Sequence, residues 1–152
     1  MNELKGNIIR QMQKGIKVDR ATSTLPQTTQ SALFTIANGR VCITGLIGEV
    51  TTVIQTQANN TKLVANPSVG TDVDICAVLS ITADEVGTLY GITGLTSDAM
   101  IGINAGAVPD QVKNVIVAPG TLDLNCAASN TGAIKWTVFY YPIDDGATIT
   151  AA

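Results

Sequence analysis

From Ala32 onward, apolar residues recur at every second position in short runs, and each run is cut by a turn signal before it grows long enough for a helix. This period of two puts alternate side chains on opposite faces of an extended chain, so it constrains the fold more than any other feature. Leu33, Phe34 and Ile36 lead to Asn38-Gly39, and Val41 to Ile47 follow. Asn-Gly is the dipeptide that best matches a tight hairpin turn, which predicts pairing of these two runs. Val50 to Gln57 reads as a further strand ended by a turn at Asn59-Asn60. Lys62–Ala65, Val73–Ala83, Gly87–Thr93, Ala99–Ile103, Lys113–Ala118, Thr121–Ala127 and Ile134–Tyr141 continue the pattern, with Asn66-Pro67, Gly70, Pro119-Gly120 and Ser129–Gly132 as punctuation. Roughly eight to ten short strands with no long helix among them predict an all-β body. A β-sandwich, jelly-roll-like at this length, is the architecture that fits.

The first twenty residues differ. Leu4, Ile8, Met12 and Ile16 recur every fourth position with Ile9 beside them, a helical stripe from which Arg10, Lys14 and Lys17 lie largely off. Gly6 and Gly15 each weaken such a helix by ~1 kcal/mol relative to Ala, so it needs a surface to pack on. Three readings stay open: a helix docked on a partner or neighbour, a solvated tail, or a membrane-surface helix. Residues 21–31 (ATSTLPQTTQS) read as an extended linker around Pro26. The expected organisation is therefore a basic arm at 1–20, a linker at 21–31, a β-sandwich domain at 32–145 and a C-terminal tail at 146–152. Removing residues 1–20 is expected to leave the body folded.

Charge follows the same division. Residues 1–20 hold five basic and two acidic side chains, net +3, while the remainder holds four against ten, net −6. An acidic body argues against nucleic-acid binding by that body. Only 14% of residues are charged and 45% are apolar, with a mean hydropathy of +0.28. A surface this poor in charge is commonly one that sister subunits or partners cover, which predicts a homo-oligomer, trimer preferred over dimer. No run approaches the ~18 apolar residues of a membrane span, and Glu3, Lys5, Asn7, Arg10 and Gln11 interrupt any signal-peptide core, so synthesis in a cytoplasm without membrane insertion is expected.

Candidate chemistry is sparse. With no histidine in the chain, Ser-His and Cys-His nucleophile arrangements are excluded. Cys42, Cys76 and Cys126 sit in apolar runs and read as buried free thiols, and without a CxxC spacing no zinc site or other metal is expected. Three carboxylate pairs remain: Asp72 with Asp74, Asp84 with Glu85, and Asp144 with Asp145. Strand spacing would put Asp72 and Asp74 on one face, the only hint of a glycosidase or calcium site, although solvated loop acids explain them as well. Gly45 and Gly48 lack the third glycine, helix and lysine of a phosphate cradle. Asn59-Asn60-Thr61 matches a glycosylation sequon without a secretion signal. Trp136, Phe139, Tyr140 and Tyr141 crowd one strand, either as a stacking platform for sugar or bases or, as favoured here, with alternate rings in the core and at a subunit contact. No catalytic residue, cofactor or metal is assigned.

The stretches TLPQTTQSALFTIANGRVCITGLIGEV (24–50), TLYGITG (88–94) and APGTLDLNCAASNTGAIKWTVFYYPID (118–144) resemble the small head decoration, or cement, proteins of tailed bacteriophages. The resemblance spreads over most of residues 20–145, and Trp136-x-Val138-x-Tyr140-x-Pro142 after a Ser-Asn-x-Gly turn is similar to the last strands of jelly-roll subunits. It implies a non-enzymatic virion protein on the capsid exterior, oligomeric, bridging neighbouring major capsid protein subunits. The arm residues Leu4, Ile8, Arg10, Met12, Lys14, Ile16, Lys17 and Arg20 would supply the capsid or partner contact. A phage tail or fibre component and a carbohydrate-binding β-sandwich are the alternatives.

Overall fold

The computed structural model describes residues 4–152. One helix, α1 (Gly6–Lys14), precedes eleven strands: β1 (Ile16–Thr24), β2 (Gln30–Ala37), β3 (Val41–Thr52), β4 (Asn59–Pro67), β5 (Val73–Asp74), β6 (Leu79–Ile81), β7 (Leu89–Tyr90), β8 (Val115–Val117), β9 (Gly120–Cys126), β10 (Ala133–Pro142) and β11 (Thr148–Ala151). The strands form two sheets, one in the order β1-β10-β3-β7 with β8 also on β3, the other β11-β2-β9-β4-β5 with β6 also on β4. Every named strand pair is antiparallel. The pairing is nested: β1 with β10, β2 with β9, β3 with β7 and β8, β4 with β5 and β6. The chain thus behaves as one long ribbon folded back on itself and rolled, so that β1 to β4 and again β8 to β11 alternate between sheets. The protein is an all-β sandwich with jelly-roll-like connectivity and a short N-terminal helix.

The alternation in the sequence becomes the core because the sheets bury one face each against the other. In β10, Ile134, Trp136, Val138 and Tyr140 are buried, while Lys135, Thr137, Phe139 and Tyr141 point outward. Trp136 is 1% exposed, stacks on Tyr90 at a centroid separation of 6.4 Å, and lies over Gly48, its cross-strand partner on β3. A Cβ at Gly48 would stand 2.8 Å from the indole ring, so glycine leaves the room the ring fills. From the second sheet, Phe34, Ile36, Leu63, Leu122 and Leu124 close the core.

Several expectations meet a different outcome, among them the strand at Ala99–Ile103, where only isolated bridges form at Ala99 and Ile101. Asn38 (φ 63°) and Gly39 (φ 130°) do make a left-handed turn, but β2 and β3 do not pair across it. The chain crosses there from one sheet to the other, so that Phe34 and Ile36 of β2 and Ile43 and Leu46 of β3 line the shared core from opposite sheets. Val50–Thr52 continue β3 rather than starting a strand, and Asn59-Asn60 open β4. The linker expected at 21–31 contains the end of β1 and the start of β2, and β1 already begins at Ile16, inside the expected arm. The tail at 146–152 contains β11, which adds a strand beside β2. Polar Ser/Thr composition hid β1 and β11 because each is an edge strand with little to bury. The first three residues of the expected arm lie outside the described residues.

Two measurements test this architecture. Removing residues 1–14 takes away a helix with no buried residue and is expected to shift the melting temperature by no more than about 2–4 °C, whereas removing 1–24 strips β1 from β10 and should lower it at least twice as far or prevent soluble expression. Gly48→Ala is expected to lose about 1–3 kcal/mol by urea denaturation, although alanine in a strand ordinarily gains about 0.5–1 kcal/mol over glycine, so the sign isolates the indole contact.

Candidate adhesive surface

The helix and the outer face of the first sheet meet at a β-bulge. Phe139 stands opposite Gly45 and Tyr140 opposite Ile43, so Thr44 is the extra residue on β3. The bulge aims the Thr44 hydroxyl at α1, where it donates to the carbonyl of Lys14, one of the helix-end carbonyls without an intrahelical partner. Gly15 closes the helix at φ 89°, and its own N–H bonds the Gln11 carbonyl at 2.9 Å. Any side chain at Gly15 would collide with the Tyr140 carbonyl, so only glycine lets the chain turn this tightly from α1 into β1. Lys14 also forms an ion pair with Asp110, holding that carboxyl below the ordinary value. The helix is therefore fastened at its C-terminal end.

The rest of the helix is not. Leu4, Ile8, Ile9 and Met12 are 59%, 39%, 42% and 73% exposed. The stripe read from the sequence divides at this point. Leu4, Ile8 and Met12 stay with the helical segment, while Ile16 sits in β1 opposite Tyr140, on the side turned toward the core but at the open edge. Arg10 is half-buried. Lys17 pairs with Asp19 at 2.9 Å, and Arg20 bonds the Ser23 hydroxyl. The eight arm residues thus form two groups, one on the helix and one built into the sheet.

Beside the helix, the outward face of β1, β10 and β3 carries Phe139 and Ile47 in the centre. Ion pairs rim them: Lys17 with Asp19, and Lys135 with Glu49 at 3.4 Å. Thr137 donates to Asp19 at 2.7 Å, and this bond, ahead of Lys17, holds the Asp19 carboxyl below its usual range. Exposed pairs of this kind contribute about 0–1 kcal/mol each, so they shape the rim more than they stabilise the fold. Phe139 lines two shallow grooves, one of about 430 Å³ with Ile47, Ala21 and Lys135, and one of about 260 Å³ with Ile47, Val108 and Pro109. Tyr141, 44% exposed, lies near the helix end in a further groove with Met12 and Thr44. The aromatic strand is thereby divided, with Trp136 and Tyr140 in the core and Phe139 and Tyr141 on the outside. Sequence reading did not single out Ile47, Val108 or Asp110. Ile47 carried no signal of its own, because the run Val41–Leu46 is buried on both faces and only the structure shows Ile47 exposed, and the loop residues carried none either.

The carboxylates disperse. Asp72 accepts from Gln30 at 2.8 Å and Asp74 pairs with Lys62 at 2.7 Å, both on the second sheet. Asp144 makes a two-pronged pair with Arg40 and also accepts from the Arg40 backbone N–H, tying the C-terminal turn to the Asn38-Gly39 corner and holding this carboxyl far below its usual value. Asp84 is 6% exposed and accepts a hydrogen bond from Tyr90, and burial raises its pKa. Among the described residues no three His, Cys, Asp or Glu side chains come together as metal ligands. The three cysteines are free and buried, and burial pushes the Cys76 and Cys126 thiols up. Asn59 of the sequon is 1% exposed, its amide clamped to the backbone of Ala128 by bonds of 3.1 and 3.0 Å, so it offers no glycan acceptor in the folded state. Among the described residues no helix is long and apolar enough to cross a membrane. No protein-family model, curated protein or solved structure matches this chain.

The buried Asp84–Tyr90 pair makes stability depend on pH. A carboxyl whose pKa is raised by folding stabilises the fold when protonated, and that contribution is lost as pH rises from the ordinary value of 3.8 through the raised one. Asp84→Asn keeps an acceptor for the Tyr90 hydroxyl without a buried charge. It should match the native protein near about pH 3 and exceed it near about pH 7, read as urea midpoints. Asp84→Ala leaves the Tyr90 hydroxyl unpaired and should cost about 1–3 kcal/mol at either pH.

Proposed function

We propose that this protein is a structural virion component that decorates the exterior of an icosahedral phage capsid and stabilises it by bridging major capsid protein subunits. The observation that carries the reading is the pairing of two uncovered adhesive surfaces on one stiff body: the helix with Ile8, Ile9 and Met12 outward, and the adjoining sheet face around Phe139 and Ile47. A lattice protein acts by contact, and a β-sandwich whose carboxylates are dispersed and whose thiols are buried supplies contact surface without reactive groups. Apolar centres rimmed by charged pairs are the composition of protein interfaces, with the rim setting orientation. Repetition over a lattice multiplies weak contacts by avidity, so each copy needs only a modest patch. The resemblance of residues 24–50, 88–94 and 118–144 to phage cement proteins supports the same reading.

The carbohydrate-binding alternative loses its parts in three dimensions. Trp136 is buried, while Asp72 and Asp74 belong to the opposite sheet from Phe139 and Tyr141, so the groups it needs do not share a face. Purified protein is expected to co-sediment with capsids and raise their resistance to heat, and to leave glycan arrays blank. The variant lacking residues 1–14 should be retained at least about tenfold less, equivalent to about 1.4 kcal/mol. Equal retention would refute the helix's role, and absence of any capsid binding would refute the decoration reading.

A further inference from the structure

The helix stripe has a counterpart on the same molecule that it does not touch. At the open edge of the sandwich, between β5 of the second sheet and β8 of the first, an apolar groove of about 270 Å³ is lined by Pro67, Val73, Ile75, Val115, Ile116 and Val117. Val73 and Ile116 on its lips are 56% and 63% exposed. We infer that α1 of one copy lays Ile8, Ile9 and Met12 into this groove of a second copy, so that copies join head to tail. The inference deepens the decoration reading by naming how subunits link, and rests on it only for the lattice on which they act.

Three observations select a second copy as the occupant. The molecule's own helix is spoken for: its C-terminal end is held by Thr44 and Asp110 against β1 and β10, and β8 lies beyond β10 and β3 in the sheet order. Its apolar side is left uncovered there, as the exposures of Ile8, Ile9 and Met12 record. The charges are complementary. The segment 4–15 carries Lys5, Arg10 and Lys14 and no carboxylate, whereas the groove belongs to a body, residues 21–152, of net charge −6, so the two attract in net charge although the groove lining itself is uncharged. The sizes agree as well: Ile8 to Met12 span about 6 Å along the helix, and the short strands β5 and β8 run about 7–10 Å. An interface made of two different patches on identical chains is heterologous, and when its rotation closes it yields a ring, the form a lattice decoration with cyclic symmetry takes.

Such an interface can be taken apart and put back together. The full chain is expected to give a light-scattering mass that is a multiple of 15.8 kDa at about tens of micromolar. Ile8→Glu with Met12→Glu spoils only the helix, and Val73→Glu with Ile116→Glu spoils only the groove. All four sites are exposed, and Trp136 fluorescence checks that each variant is folded. Each variant alone should be monomeric, while an equimolar mixture should form a heterodimer, because one intact helix then meets one intact groove. A peptide of residues 1–14 should bind the helix-edited variant and not the groove-edited one, an assay that needs no oligomer. A monomeric native chain, a variant that keeps the native mass, or a mixture that stays monomeric would each overturn the inference. Capsid co-sedimentation is scored separately: complementation without capsid binding sinks the decoration reading alone, and capsid binding without complementation sinks the head-to-tail joint alone.

Discussion

The strand β10 organises the molecule. It pairs with β1 on one side and β3 on the other, and its inward residues Ile134, Trp136, Val138 and Tyr140 form the floor of the core. The critical contact within it is the indole of Trp136 lying over Gly48 and against Tyr90. A large ring can lie flat against a neighbouring strand only where that strand gives up its side chain, so a glycine unfavourable to strand formation by itself becomes the condition for burying Trp136. Tyr90 then carries its hydroxyl to Asp84, which places a buried polar pair at the end of the same stack.

The same strand governs the outside. Because β10 alternates, Phe139 and Tyr141 must face outward if Trp136 and Tyr140 face inward, and the bulge opposite Phe139 delivers Thr44 to the end of the helix. Core and apolar outer face are thus two sides of one register. A slip of one residue would exchange them, which is why the register is strongly specified and why an apolar outer face can be maintained without confusing the fold. The helix is joined to this arrangement through Gly15 and Lys14, with Leu4, Ile8, Ile9 and Met12 left exposed.

Nested pairing also bears on how the protein forms. β1 pairs with β10 and β2 with β9 over separations of more than a hundred and of nearly a hundred residues, so most of the stabilising contacts are non-local and the chain must close long loops before it gains from them. Buried asparagines help to hold the resulting turns. Asn59 clasps the backbone of Ala128, and Asn130 donates to the Gln57 carbonyl at 2.7 Å, each replacing backbone bonds that a loop cannot make for itself.

What the sequence determined by itself was the local geometry: the two-residue period of the strands, the left-handed turn at Asn38-Gly39, the helical spacing of Leu4, Ile8 and Met12, and the division of aromatics along β10. These depend on neighbours within a few positions, and their physics is complete at that range. Tertiary structure decided which strands paired. Asn38-Gly39 became a crossing between sheets instead of a hairpin, the polar segments 16–24 and 148–151 became edge strands, and Asp72 and Asp74 were carried to the sheet opposite Phe139. Those outcomes turn on which distant surfaces can be buried together, and a strand's own residues state that it has a face to bury without stating against what.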